Sequence, residues 1–148
     1  ASVALGPYRS CARMANGTLQ CWGRNDAGQL ADGTNVSRST PLPIRAIPSG
    51  VADVIVGSFH TCARMTDETA RCWGSGASGR LGDGAGATQA SPVAVQGLAN
   101  ALELSAYDGH TCARTRDGAI RCWGQNTYGQ IGDGTTTDRT APVVITLR

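Results

Sequence analysis

Lysine is missing altogether from this chain of 148 residues: all thirteen basic side chains are Arg, set against eleven acidic ones. The resulting net charge of +2 is too balanced for the basic footprint of a nucleic-acid binder. Large apolar side chains are also scarce. Leu, Ile, Val and Phe together number 25, about 17% of the chain, a level at which a domain is short of core. No apolar run approaches the roughly 18 residues of a membrane-spanning helix. There is no Cys-x2-4-Cys cluster of the zinc-binding kind, and the loops offer too few carboxylates for a calcium site, so neither metal nor cofactor is expected. Residues 1–6 lack the pattern of a signal peptide, so any export signal is expected to have been removed or to lie upstream.

What is present is threefold repetition. Cys11-x9-Cys21-Trp22-Gly23 recurs as Cys62-x9-Cys72-Trp73-Gly74 and Cys112-x9-Cys122-Trp123-Gly124, with first cysteines 51 and then 50 residues apart. Gly28-Gln29-Leu30-Ala31-Asp32-Gly33 returns as residues 79–84 and 129–134, and Pro41, Pro92 and Pro142 take matching places. A period of about 50 residues signals repeated supersecondary units. Each unit reads as four short strands. In the middle one these are Val51–Gly57, Thr61–Met65, Thr69–Trp73 and Ala90–Val95, with Pro92 placing the last at an edge or a strand start.

The cysteines test the hairpin geometry. With Ala15-Asn16-Gly17 or Arg116-Asp117-Gly118 as a three-residue loop ending in a left-handed Gly, Cys11 faces Cys21 and Cys112 faces Cys122. Directly opposed residues in a non-hydrogen-bonded pair are close enough for a disulfide. The even, regular cysteine count therefore reads as Cys11–Cys21, Cys62–Cys72 and Cys112–Cys122 bridges, formed in an oxidising compartment. The middle loop has Glu68 in the glycine position. Either Glu68 accepts a positive φ, or that loop is built differently.

Other recurring residues have two readings. Trp22, Trp73 and Trp123 are either stacking platforms for sugars or, as favoured by their presence in every repeat, structural indoles packed between sheets. His60 and His110 suggest loop-fixing hydrogen bonds, with Arg9 in the same place in the first repeat. Asp32, Asp83 and Asp133, each before Gly, read as turn residues. Arg13, Arg64 and Arg114, with Arg71 and Arg121 on the returning strands, are candidates for a basic rim that meets an acidic partner, against the simpler reading of solvated charges near turns.

The combination His60-Thr61-Cys62-Ala63, Cys72-Trp73-Gly74, Asn126-x2-Gly129-Gln130-Ile131-Gly132-Asp133-Gly134-Thr135 and Pro142-Val143 resembles the regulator-of-chromosome-condensation repeat. The resemblance implies an all-β fold: three four-stranded antiparallel blades of a β-propeller, at residues 1–50, 51–100 and 101–148. Three blades make an incomplete ring, to be completed by more blades or by other chains. Members of the family differ widely in activity, so the fold does not set the function. Paired cysteines depart from the usual eukaryotic pattern and point to a bacterial, exported branch, with a location outside the cell, in the periplasm or on the cell surface. No inserted wedge of the kind used for nucleotide exchange interrupts the repeats.

Blades in register leave two sheet faces open, to be covered by a longer chain's further blades, by a second copy in a closed ring, or by an open assembly. The expected function is a non-enzymatic module for macromolecular binding or scaffolding, its specificity in the loops at 24–27, 34–40, 75–78, 85–91, 125–128 and 135–141. The rival readings are a lectin using Asn25, Asp26, Asn126 and Tyr128 together with the tryptophans, although the middle loop at 75–78 lacks both amide and aromatic, and an enzyme. For the enzyme only Asp108 and His110 pair a carboxylate with an imidazole, and no nucleophile, acid and base cluster, so no catalytic residue is assigned.

Overall fold

The computed structural model describes residues 1–147; Arg148, the last residue of the third repeat, lies outside the described residues. Twelve strands form three antiparallel sheets, each in simple meander order. The first sheet holds β1 (Ser2–Leu5), β2 (Arg9–Arg13), β3 (Leu19–Gly23) and β4 (Arg38–Pro43). The second holds β5 (Val51–Val56), β6 (His60–Met65), β7 (Ala70–Gly74) and β8 (Gln89–Ala94). The third holds β9 (Ala101–Tyr107), β10 (His110–Thr115), β11 (Ile120–Gly124) and β12 (Arg139–Ile145). Pro41, Pro92 and Pro142 all fall in the last strand of their sheet, an edge, where the missing N–H breaks no central ladder.

The central hairpins have the register that the cysteine spacing predicts. Cys11 pairs with Cys21, Cys62 with Cys72 and Cys112 with Cys122. All three pairs are disulfide-bonded, with Cα atoms 4.1 Å apart. Gly17 and Gly118 take positive φ at the turns, and Glu68 does so too, at 64°. The middle loop is thus built like its neighbours, and Glu68 adopts a backbone conformation that costs an L-residue about 1–2 kcal/mol. Two contacts to the next sheet hold it there. Its carbonyl accepts from the Ala101 N–H at 2.8 Å, and its carboxylate pairs with Arg116.

Apolar burial lies between the sheets. Val54, Val56, Ala63 and Trp73 of the second sheet pack on the Cys11–Cys21 bridge, Leu19, Leu30, Ile44 and Ile47 of the first. Leu104, Ala113 and Trp123 repeat this on the Cys62–Cys72 bridge, Leu81, Val95 and Leu98. The bridges therefore serve twice: they close the hairpins, and their sulfurs form part of the surface on which the next sheet sits. That offsets the shortage of large aliphatic side chains. On the outer faces the equivalents stay in water, with Val3 68% and Leu5 74% exposed on the first sheet.

Candidate functional site: inter-blade joints and one loop face

The repeat residues converge at the joints between sheets. The Trp73 indole N–H donates to the Gln29 carbonyl at 2.9 Å, and Trp123 donates to the Arg80 carbonyl at 3.1 Å, each reaching the preceding sheet. Both rings are completely buried, whereas Trp22, on the open face of the first sheet, is half-buried. Thr61 Oγ1 donates to that same Gln29 carbonyl at 3.0 Å, and Thr111 Oγ1 lies 3.4 Å from the Arg80 carbonyl.

His60 does not fix its own loop. Its Nε2 pairs with Thr111 Oγ1 of the third sheet at 2.8 Å. Burial holds the imidazole neutral, pulling its pKa down to about 3, and the nearby positive charges of Arg80 and Arg9 act the same way. Arg9 occupies the equivalent place in the first sheet and makes the equivalent reach. Its Nε donates to Thr61 Oγ1 at 3.1 Å, and its other nitrogens donate to the carbonyls of Ser58 and Gly57 at 3.0 Å and to that of His60. Burial, reinforced by Arg24, lowers the Arg9 pKa to about 10. Neither Arg9 nor the two threonines stood out as site residues in the sequence. The available signal was the hydroxyl in a fixed place in all three repeats, Ser10, Thr61 and Thr111.

The amides proposed as sugar contacts are spent inside the protein. Asn25 and Asn126 are fully buried. The Asn126 side chain donates to the Thr135 and Thr137 carbonyls at 3.0 and 3.1 Å and to Asp133 at 3.3 Å, while its oxygen accepts from the Ile131 N–H at 2.9 Å. Asn25 makes the same set with Thr34, Val36, Asp32 and Leu30. The middle repeat has Gly76 at this place. Without an amide to bridge the loop the backbone itself moves in, so closely that a Cβ would lie 1.9 Å from the Ala87 carbonyl oxygen.

The aspartates before glycine do form turns: Asp32 and Asp133 accept the N–H two residues on, from Thr34 at 2.9 Å and Thr135 at 3.0 Å. Hydrogen bonds from Thr135 and an ion pair with Arg139 hold Asp133 down at about 2 despite a desolvation effect in the other direction.

The arginines of the expected rim are largely engaged. Arg13 Nε donates to the Val51 carbonyl at 2.8 Å, and Arg114 and Arg121 pair with Glu103 and Asp117, each at 3.2 Å. Arg71 is exposed, and Arg64 Nε has no partner among the described residues. Among the described residues, carboxylates therefore compensate Arg114 and Arg121, while Arg13 is spent on a neutral carbonyl and Arg64 and Arg71 make no ion pair.

A different surface is open. The β1–β2 and β3–β4 connections, and their counterparts in the other sheets, share one end of the blades, and all three tyrosines lie there, with Tyr8, Tyr107 and Tyr128 exposed to 60%, 77% and 89%. Arg24 sits over the Tyr8 and Phe59 rings at 5.4 and 5.7 Å, and Arg80 over Phe59 at 5.5 Å, giving an aromatic–guanidinium ladder across the first two blades. Beside it, Tyr107, Asp108, His110, Gln125 and Tyr128 line a cleft of about 250 Å³. Burial lowers the His110 pKa, and Asp108 partly offsets this. Among the described residues no group of three or more His, Cys, Asp or Glu could hold a metal ion.

The sequence profile of the regulator of chromosome condensation (RCC1) repeat matches residues 1–29, 51–80 and 103–130, and a second profile of that repeat matches 16–64 and 117–148. The chain belongs to the RCC1 repeat family. Among curated RCC1 relatives, the mitochondrial RCC1 domain-containing protein RUG3 of Arabidopsis thaliana is 28% identical over 68% of this chain and 23% of its own length. Human E3 ubiquitin-protein ligase HERC2 is 33% identical over 64% of this chain and 2% of its own length. Solved structures extend the likeness to the whole fold. Human WBSCR16 superposes with a TM-score of 0.87 at 24% identity, over 99% of this chain and 39% of its own. Prp20p from Saccharomyces cerevisiae gives 0.80 at 20% identity, over 99% and 38%. The chain thus spans well under half the length of each of these relatives and solved structures. No helix among the described residues is long and apolar enough to cross a membrane, and three disulfides suit an oxidising compartment.

Proposed function

We propose that this chain is part of an exported, non-enzymatic RCC1-type propeller that binds another protein through the blade end carrying Tyr8, Tyr107 and Tyr128. The observation that carries the reading is that every tyrosine of the chain is exposed on one end of the sheets, beside the Arg24 and Arg80 ladder. Tyr and Arg are enriched at interface hot spots, Tyr because a rigid ring with a polar end gives large contact area at low entropic cost and Arg because its planar guanidinium presents several donors at once. The solved Prp20p is described with binding to Gsp1p and histones, which supports protein recognition by this fold. Export draws support from the three bridges, and from a propeller of TM-score 0.53 in the ectodomain of the receptor kinase ACR4 of Arabidopsis thaliana. The lectin reading keeps Tyr128 but has lost Asn25 and Asn126 to the loop interiors.

The test is a protein and glycan array probed with the parent chain and with a Tyr107→Ala/Tyr128→Ala variant. Protein hits that weaken at least tenfold in the variant support the reading. Hits restricted to glycans, or hits indifferent to the two tyrosines, overturn it. For the non-enzymatic part, Asp108→Asn should leave unchanged any turnover the protein is found to have.

A further inference from the structure

The two joints inside this chain follow one plan but differ at their outer edge, beside the last strands of the sheets. At the second joint that edge is closed. The Gly84 N–H donates to the Thr140 carbonyl of the third blade at 2.9 Å, and the Gln96 N–H donates to the Gly82 carbonyl at 2.8 Å. The Gln96 carboxamide lies over Gly84, where a Cβ would meet its Oε1 at 2.4 Å.

At the first joint the same edge is open. Gly33, Ala31 and Arg45 stand in the places of Gly84, Gly82 and Gln96. Ala31 keeps the left-handed backbone, with φ at 53°. It also brings a methyl group to a place where, at the second joint, a Cβ would lie 2.7 Å from the Trp123 indole nitrogen, so the first joint has to be wider there. Neither of the two backbone bonds forms among the described residues, and a Cβ on Gly33 would meet nothing within 4 Å. The result is a cleft of about 440 Å³, lined by the Asp32-Gly33 turn, Leu42, Pro43 and Arg45 of the first blade and by Ser91 of the second. Both of its walls are made by this chain.

The cleft offers groups of two kinds. The Gly33 N–H, the Arg45 N–H and the Ala31 carbonyl are main-chain groups whose counterparts at the second joint are bonded to one another or to the next blade. A peptide backbone satisfies donors and acceptors together, whereas a free anion serves only donors. The second kind is charge. Arg38 is paired with Asp32 at 3.0 and 3.1 Å, but Arg45 is exposed and makes no ion pair among the described residues. One uncompensated guanidinium suits a singly charged carboxylate, and the neighbouring Asp32 repels a group with two negative charges. From this we propose that the cleft binds an acidic peptide segment, with an Asp or Glu carboxylate on the Arg45 guanidinium and the segment's main chain on the Gly33 N–H and the Ala31 carbonyl. The site shares no residue with the tyrosine end, and either can fail without the other.

The probes are the end-capped pentapeptides Ala-Ala-Glu-Ala-Ala and Ala-Ala-Gln-Ala-Ala, with sodium acetate and sodium glucuronate carrying the same carboxylate on other molecules. Each is titrated into the chain at constant ionic strength and followed by amide NMR. The Glu peptide is expected to shift the Gly33 and Arg45 amide signals saturably, and the Gln peptide to bind about fivefold more weakly, the scale of one exposed ion pair. Arg45→Gln installs the residue that the second repeat carries at this place, so the fold should be kept while the preference for Glu disappears. Arg71→Gln removes an exposed guanidinium elsewhere and should leave the preference unchanged, which separates the site from general attraction to a positive chain. The proposal is overturned by the absence of saturable shifts at the two amides, by equal binding of the two peptides, or by a preference that survives Arg45→Gln or is lost with Arg71→Gln. Acetate binding as tightly as the Glu peptide would assign the cleft to small carboxylates, and glucuronate doing so would assign it to acidic glycans; both outcomes overturn the proposal. Should Arg45→Gln not fold, the comparison of the two peptides on the parent chain decides alone.

Discussion

His60 Nε2 lies 2.8 Å from Thr111 Oγ1, so a histidine of the second blade makes its hydrogen bond in the third. The ring is completely buried and its Nδ1 has no partner among the described residues, so a proton placed there meets no acceptor. The burial that binds two blades together also forbids the charged form.

Stability should accordingly fall as acid is added. The folded pKa is about 3 against an ordinary 6.5. The unfolded chain therefore binds a proton that the folded one refuses between those limits. The contribution is fully present above pH 6.5 and is lost progressively as pH falls toward 3, at about 1.4 kcal/mol per pH unit. Denaturant unfolding of the parent and of His60→Gln between pH 7 and pH 4 checks this. The slope should flatten in the variant, and parallel curves would show that another group governs the acid limb.

The bridges should not be equivalent. Each closes a loop of ten residues, worth a little under about 3 kcal/mol by the chain-entropy estimate. The Cys62–Cys72 bridge also carries the third sheet, whereas Cys112–Cys122 faces outward. The Cys62→Ala/Cys72→Ala pair should therefore lose about 1–2 kcal/mol more than Cys112→Ala/Cys122→Ala, from the added loss of packing. Equal midpoints in urea would mean that the sulfurs act only within their hairpins.

Making the repeats more alike should do harm at one place. Gly76 stands where the other two repeats have Asn25 and Asn126, so Gly76→Asn looks like a change toward consensus. The 1.9 Å approach to the Ala87 carbonyl oxygen forces the 85–88 loop to move, and we expect a loss of at least about 2 kcal/mol. A thermal midpoint at or above the parent's would show that the loop rebuilds around the amide.

Asn126→Ala removes a buried amide that serves four backbone and side-chain partners and leaves the Ile131 N–H without an acceptor. A loss of about 2–3 kcal/mol is expected, with no change in the binding of any ligand at the exposed tyrosines. Unchanged stability with lost glycan binding would return Asn126 to the role of a contact residue.

Much of the fold follows from local rules. A three-residue hairpin loop sets which residues face each other, so the spacing of ten between cysteines, with Gly17 and Gly118 at the turns, already contained the three bridges. The repetition of that unit with its Trp and Asp-Gly turn contained the family. Local counting was less informative at Glu68, where the geometry held without glycine because Ala101 and Arg116 of the next sheet hold the residue in place.

The partners across the joints were beyond such counting. Arg9 meets Thr61, His60 meets Thr111, and Trp73 meets the Gln29 carbonyl, at separations of 52, 51 and 44 residues. Contacts of that reach depend on how one sheet is rotated and seated on the next, and no periodicity within a repeat encodes that. The same holds for the fate of the polar side chains. Asn25 and Asn126 were available as ligand contacts on composition alone, and folding turned them inward because the wide loops they bridge have backbone groups that must find partners away from water. Chain-local geometry established the hairpins and their bridges; the stacking of one blade on another selected which side chains join them and which, like the tyrosines, remain outside.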